Sequence, residues 1–158
     1  MTTATATKIE DLTLNIMEEI HVKAPMDVTF EALLEQLGPG LSGPEDRSMQ
    51  MKIEPWPGGR WYRDLGDSNG HVWGHVQSIK RPTLLEFYGP LMMSYPVMSN
   101  VQYRLSEEPG GTLIKFQHLA FGPVQDDHRQ GMPKGWTQIN AKTKERAEAS
   151  RTRRTSGR

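Results

Sequence analysis

The sequence contains no cysteine. This absence excludes a disulfide framework, a thiolate zinc site and a cysteine nucleophile, and it fits a cytoplasmic protein. No apolar run approaches the roughly twenty residues that a membrane-spanning helix needs, and the N-terminus lacks the apolar segment of a signal peptide. We therefore expect a cytoplasmic protein that is not stably inserted in a membrane.

Net charge and nucleotide-binding motifs are also missing. Nineteen basic and nineteen acidic residues cancel, so the chain has no overall preference for nucleic acid. The glycines at 38, 40 and 43 precede no Lys-Ser or Lys-Thr pair, which argues against a phosphate loop. His71 and His75 lie about 13 Å apart on a predicted strand and cannot share one metal ion. We predict no nucleic-acid partner, no metal and no cofactor.

The chain does contain a long region, from Glu54 to Gly122, in which aromatic and β-branched residues alternate between glycine and proline breaks. This pattern predicts about five short antiparallel strands. At 158 residues the chain suits one domain. We place this domain at residues 11–148, after a disordered lead-in (1–10) and before a disordered basic tail (149–158).

Helical spacing flanks the predicted strands. Apolar residues from Met26 to Leu37 share one helical face, which predicts a helix over residues 25–37. A second helix begins near Met132 with Pro133 in its first turn. The segment Leu14–Val22 fits a strand, with a helix as the alternative.

Turn residues set the register of the strands. Asn69-Gly70 predicts a type I′ hairpin turn, and EEPGG at Glu107–Gly111 predicts a second hairpin. The two prolines of the segment 89–99 favour an irregular connection over a strand. Gly74, between two large residues, indicates a close approach of backbone or ligand.

Alternation also assigns faces to the strands. The predicted inward set is Thr83, Leu85, Phe87, Val101, Tyr103, Leu105, Ile114, Phe116, His118 and Ala120. The face of the strand His71–Val76 is ambiguous. His118 and Tyr103 are expected to form a polar end of an otherwise apolar interior, where His118 is a weak candidate for a general base. The alternative is a buried histidine with satisfied hydrogen bonds.

The predicted order of elements is strand, helix, loop, antiparallel strands and final helix. This order resembles the START-like superfamily, also called SRPBCC or Bet v 1-like. The resemblance is carried by the segments VKAPMDVTFEALL, EPWPGGRWYRDLG, HVWGHVQSIKRPTLLEF, GGTLIKFQHLAFG and GMPKGW. Within this superfamily the chain is similar to the bacterial branch related to the activator of the ninety-kilodalton heat-shock-protein ATPase (AHSA-like). The resemblance covers roughly Leu14 to Ile139.

The resemblance implies an α+β helix-grip fold, in which a curved antiparallel sheet wraps a C-terminal helix around an internal hydrophobic cavity. It implies binding of a small hydrophobic ligand such as a lipid, a polyketide or an aromatic molecule. The alternatives are a cyclase or hydrolase acting on such a ligand, and a co-chaperone or stress-related interaction module. We favour a binding protein over an enzyme. The predicted ligand-binding residues are Trp61, Trp73, Phe87, Met93, Tyr103, Phe116, His118 and Trp136.

The last helix departs from the family pattern, because Asn140, Lys142 and Lys144 stand where leucines are usual. This departure predicts a more open cavity, or one that a second copy of the chain completes as a homodimer.

Overall fold

The computed structural model describes residues 7–156, and of residues 152–156 the backbone alone. Within this range the α-helices and strands follow one another as β1 (Thr13–Val22), α1 (Met26–Leu37), β2 (Met51–Ile53), β3 (Arg60–Gly66), β4 (Asn69–Lys80), β5 (Leu84–Gly89), β6 (Met98–Glu108), β7 (Gly111–Phe121) and α2 (Asp126–Ser156). Short 3₁₀ turns lie at Ile9–Leu12 and Pro44–Asp46. The five strands β3 to β7 confirm the prediction made from the alternating region.

The strands form one curved antiparallel sheet in the order β1-β7-β6-β5-β4-β3-β2. The first strand pairs with the last, so that Thr13 faces Phe121 and Val22 faces Thr112. Strand β1 forms, and not the alternative helix, because Leu14 and Ile20 then point together into the core. Helix α2 lies across the same face of the sheet, where Trp136 contacts Phe116.

The first hairpin turn is displaced from its predicted position. The loop between β3 and β4 consists of Asp67 and Ser68, with φ of 52° and 61°, which are the left-handed values of a type I′ turn. Asn69 is the first residue of β4. Its Nδ2 donates to the carbonyl of Gly66 over 3.2 Å and so links the two ends of the loop. At Gly70 a Cβ would lie 2.0 Å from the Arg63 carbonyl oxygen, so this glycine is required for close strand approach.

The other turn predictions are confirmed. Pro109 and Gly110 connect β6 to β7, and Gly110 has φ of 84°. Residues 90–97 form an irregular connection between β5 and β6. Gly74 lies against β5, where a Cβ would come within 2.5 Å of the Tyr88 carbonyl oxygen.

The predicted inward faces of β5, β6 and β7 are also confirmed, because nine of the ten residues of the predicted inward set are buried. The exception is Thr83, which precedes β5 and is half-buried. The ambiguous strand β4 buries both Trp73 and Val76. Trp73 and Val76 would lie on opposite faces of a regular strand. They share the interior because the β3–β4 pairing shifts register at this point, where Trp61 pairs with Gly74 and Tyr62 pairs with Val72.

Helix α2 is longer than the sequence indicated. It begins at Asp126, so Pro133 lies inside the helix and the prediction of Pro133 in the first turn is wrong. The early start was missed because the segment DDHRQG shows no apolar stripe. Two acidic residues in its first turn favour the start through the helix dipole.

At its other end α2 continues to Ser156, into the segment predicted as a tail. Backbone groups of Lys23 hold this end: the Lys23 N–H donates to the Glu148 carboxylate over 3.0 Å, and Arg151 donates to the Lys23 carbonyl over 2.9 Å. Residues 1–6 and 157–158 of the predicted lead-in and tail lie outside the described residues. Neither α1 nor the described part of α2 has the length and apolar character of a membrane-spanning helix.

Candidate functional site

A cleft of about 350 Å³ lies between α2 and the segment 41–49 that follows α1. Strand β4 and the β5–β6 connection also contribute to its wall. The apolar lining residues are Leu41, Met49, Trp73, Met92, Met132, Trp136 and Ile139. The remaining lining residues are glycine, proline and polar or charged side chains. Five of these have hydrogen-bond partners: Gln36, Ser42, Asp127, His128 and Lys142.

Two glycines of α2 leave part of this space open. Gly131 and Gly135 are one helical turn apart and both line the cleft, and a Cβ at either position would meet no atom within 4 Å. Glycine inside a helix costs about 1 kcal/mol relative to alanine. The sequence therefore omits two side chains where they would occupy the cleft.

Gln36 contributes a buried amide to the wall. Its side chain is 1% exposed, and its Oε1 accepts hydrogen bonds from Nε and Nη2 of Arg146 at 3.3 and 3.2 Å. Because a guanidinium only donates, the amide must present its oxygen to Arg146. The Nε2 group is thereby turned away from Arg146, and it has no partner among the described residues.

Trp73 contributes a second buried donor. Its indole is 6% exposed and packs edge-on against Trp61, with ring centroids 5.3 Å apart. Its Nε1 has no partner among the described residues. In contrast, Nε1 of Trp61 donates to the Leu37 carbonyl over 2.7 Å.

A tyrosine and a histidine pair beside the cleft. The Tyr95 hydroxyl lies 2.8 Å from Nδ1 of His128, and the Gln125 N–H donates to the Tyr95 oxygen over 3.1 Å. The Tyr95 oxygen therefore accepts from the Gln125 backbone and also shares a hydrogen bond with the His128 ring. His128 lines the cleft.

His118 is fully buried beneath α2, and both of its ring nitrogens are occupied. Nδ1 accepts from Nε1 of Trp136 over 3.0 Å, and Nε2 lies 2.9 Å from the Ser99 hydroxyl. Burial lowers the pKa of His118 to about 4. His118 is therefore a neutral ring with satisfied hydrogen bonds, which is the alternative given in the sequence analysis. Neither of its nitrogens is free to accept a proton from a ligand.

Tyr103 is also fully buried, and its hydroxyl donates to Oδ1 of Asn140 over 2.8 Å. Burial, with a smaller contribution from Glu18, raises the pKa of Tyr103 well above its ordinary value. Asn140 was expected to weaken the docking of the last helix. It is 1% exposed and forms a polar link between α2 and the sheet instead.

The eight residues predicted to bind a ligand fall into two groups. Trp73 and Trp136 line the cleft, whereas the other six are not among its lining residues. Those six pack in the core: Trp61 on Phe87 at 4.8 Å, Phe116 on Tyr103 at 4.9 Å, and Met93 and His118 with no exposed surface. Their contact with a ligand stays a prediction.

Gln36 and His128 were missed by the sequence reasoning. Gln36 follows Leu33 by three residues, which places it beside the buried stripe of α1, and this position was a usable signal. His128 carried no signal, because its partner Tyr95 comes from a connection without regular structure. Residues 7–156 contain no group of three His, Asp or Glu side chains arranged to hold a metal ion.

Comparison with known proteins begins with a family model, described as Activator of Hsp90 ATPase homolog 1-like protein, which matches residues 45–148. No curated protein has a matching sequence. Solved structures do match, at identities that show the fold alone.

The AHSA1-like protein from Aeromonas hydrophila has a TM-score of 0.60 at 19% identity, with 87% of this chain and 94% of that chain covered. Ara h 8.0201 has a TM-score of 0.61 at 15% identity, covering 87% and 99%. The di-domain ARO/CYC StfQ from the steffimycin biosynthetic pathway has a TM-score of 0.63 at 12% identity, covering 94% and 53%. The fold is the α+β helix-grip arrangement of Bet v 1-like proteins.

Proposed function

The chain belongs to the family of Activator of Hsp90 ATPase homolog 1-like proteins, and from this premise we propose that it binds a small hydrophobic molecule in the cleft beside Gly131 and Gly135. The observation that carries the proposal is the cleft itself. Its volume of about 350 Å³ lies within the range of small-molecule sites. Its wall of methionine, leucine and tryptophan suits an apolar ligand, since methionine adapts to irregular shapes.

Binding is favoured over catalysis by the state of His118. The predicted cyclase or hydrolase reaction required this histidine as a base, and its two nitrogens are held by Ser99 and Trp136. The neighbour StfQ, an ARO/CYC protein of the same fold, supports an aromatic or polyketide-like ligand class. A lipid is the other class in our proposal.

The test places a bulky side chain in the cleft at Gly135. Gly135→Phe places a ring where a Cβ meets no atom within 4 Å, so it should abolish binding while leaving the fold intact. Gly135→Ala is the matched control, because it adds one carbon and should retain binding. Binding is measured by the change in Trp73 and Trp136 fluorescence over a panel of polyketides, flavonoids and fatty acids, after native mass spectrometry of the purified protein.

Two results would count against the proposal: no ligand from the panel alters the fluorescence, or Gly135→Phe binds as tightly as the wild type. The co-chaperone alternative would use an exposed surface. Under that alternative, Gly135→Phe should bind the heat-shock protein as well as the wild type does in a pull-down.

A further inference from the structure

Gln36 and Trp73 both line the cleft. Nε2 of Gln36 and Nε1 of Trp73 are buried and have no hydrogen-bond partner among the described residues. We propose that the cleft selects ligands bearing a carbonyl or carboxylate oxygen, which accepts hydrogen bonds from these two groups. This inference rests on the proposed function and specifies the ligand's polar group.

The Gln36 donor is fixed in direction by its surroundings. Arg146 holds the amide oxygen through two hydrogen bonds. The guanidinium lies close to the backbone of Gly40, where a Cβ would come within 2.6 Å of its Nη2. The positive charge on the oxygen side polarises the amide and strengthens the donor on its other side. Gln36 is therefore a preorganised donor.

The Trp73 donor differs from the other buried tryptophans. Trp61 and Trp136 are as deeply buried, at 1% and 3% exposure, and each donates its Nε1 proton to a specific acceptor. Trp73 is 6% exposed and donates to no acceptor among the described residues. Buried polar groups in folded proteins are nearly always paired. Of the three side chains with such an unpaired nitrogen in the described part of the chain, Gln36 and Trp73 line the cleft and Asn140 does not.

The chemistry of the two nitrogens selects the ligand group. Both are donors and neither can accept a hydrogen bond. A carbonyl or carboxylate oxygen supplies acceptor lone pairs only, whereas an ammonium group supplies donors only. Both nitrogens have almost no accessible surface in this conformation, so a ligand oxygen reaches them only with a small shift of the surrounding side chains. Hydrogen bonds formed there are stronger than at the surface. An apolar body with such an oxygen matches the lining of the cleft.

The experiment compares three ligands of nearly equal size by isothermal titration calorimetry. They are 2-acetylnaphthalene with a neutral carbonyl, 2-naphthoate with a carboxylate, and 2-ethylnaphthalene without an oxygen. Wild-type protein should bind at least one oxygen-bearing ligand about tenfold more tightly than 2-ethylnaphthalene, the factor expected of one buried hydrogen bond. Preference for acetylnaphthalene alone assigns a neutral carbonyl, and preference for naphthoate alone assigns an acid.

Gln36→Glu keeps an oxygen for Arg146 and replaces the NH₂ donor with a second oxygen. It should reduce the tenfold preference, measured against 2-ethylnaphthalene in the same variant, to less than twofold. Trp73→Phe removes the indole N–H and should lower the preference by several fold. Gln130→Glu is the matched control, since Gln130 is exposed on α2 and is not among the cleft-lining residues, and it should retain the preference.

The outcomes separate the two proposals. If none of the three ligands binds, the proposed function fails. If all three bind with equal affinity, or if the preference survives in both Gln36→Glu and Trp73→Phe, the cleft binds ligands without using these donors and the inference is overturned. Circular dichroism of each variant ensures that a loss of binding is read only from folded protein.

Discussion

Two regions beneath α2 are built from the same kinds of side chain and differ in how their polar groups are used. Around His118, each ring nitrogen, the Trp136 indole and the Ser99 hydroxyl share hydrogen bonds, and aromatic rings fill the space. Around Gln36 and Trp73, the donors have no partner among the described residues and two helical glycines leave room. Under the proposed function, unmet hydrogen-bonding capacity beside open space distinguishes the cleft from the core. Asn140 also has a buried nitrogen without a partner in the described part of the chain, but it is not among the cleft-lining residues.

The largest expected effect on stability comes from a substitution in the buried region around His118, which we call the closed region. Trp136→Ala removes the ring that packs on Phe116 and leaves Nδ1 of His118 without a donor. We expect a loss of about 3–5 kcal/mol in the free energy of unfolding, as for other large-to-small core changes. Urea denaturation measures it. Trp56→Ala is the control, since Trp56 is 55% exposed and its loss should change stability by about 0.5 kcal/mol or less.

The closed region should also make stability depend on pH. The pKa of His118 in the folded protein is about 4, below its ordinary value of 6.5, so the unfolded chain takes up the proton first as pH falls. Its contribution is fully present above pH 6.5 and is lost as pH falls toward 4. We expect a loss of up to about 3 kcal/mol over this window.

Thermal unfolding between pH 7 and pH 4 tests this dependence in matched variants. His118→Gln should be less stable at pH 7 but lose less stability on acidification. His21→Gln is the control, because the His21 side chain is 66% exposed, and it should follow the wild-type profile. Equal profiles for all three proteins would show that His118 does not stay neutral in the fold.

The smallest effect on stability is expected from a substitution in the cleft. Gly135→Ala adds a methyl group into space in which a Cβ meets no atom within 4 Å. It should raise the free energy of unfolding by up to about 1 kcal/mol, because alanine favours the helix. The same substitution at Gly59 should destabilise, since a Cβ there would lie 1.9 Å from the Glu54 carbonyl oxygen. Destabilisation at Gly135 would show that its surroundings are tighter than described.

Much of the fold could be predicted because it depends on local patterns. Alternation placed Tyr103, Phe116 and His118 inside, and helical spacing located α1. The type I′ turn was displaced because Asn-Gly is a preference, and strand pairing selected Asp67 and Ser68 instead.

The site was harder to predict, because it depends on contacts between distant segments. The free donor of Gln36 is set by Arg146, which lies 110 residues further along the chain. The partners of His118 are Ser99 and Trp136, which approach it from a neighbouring strand and from α2. No spacing in the sequence encodes these partners. The family resemblance supplied the architecture but not the position of the cleft.

The pairing of β1 with β7 has a consequence for synthesis on the ribosome. Thr13 and Phe121 are partners in the finished sheet, yet the chain emerges from its N-terminus first. At about 5–20 residues per second, roughly 5–20 s separate the synthesis of the two strands. During that interval the inner face of β1, including Leu14 and Ile20, has no strand to pair with. The nascent chain is therefore most exposed to aggregation or to chaperones before β7 emerges.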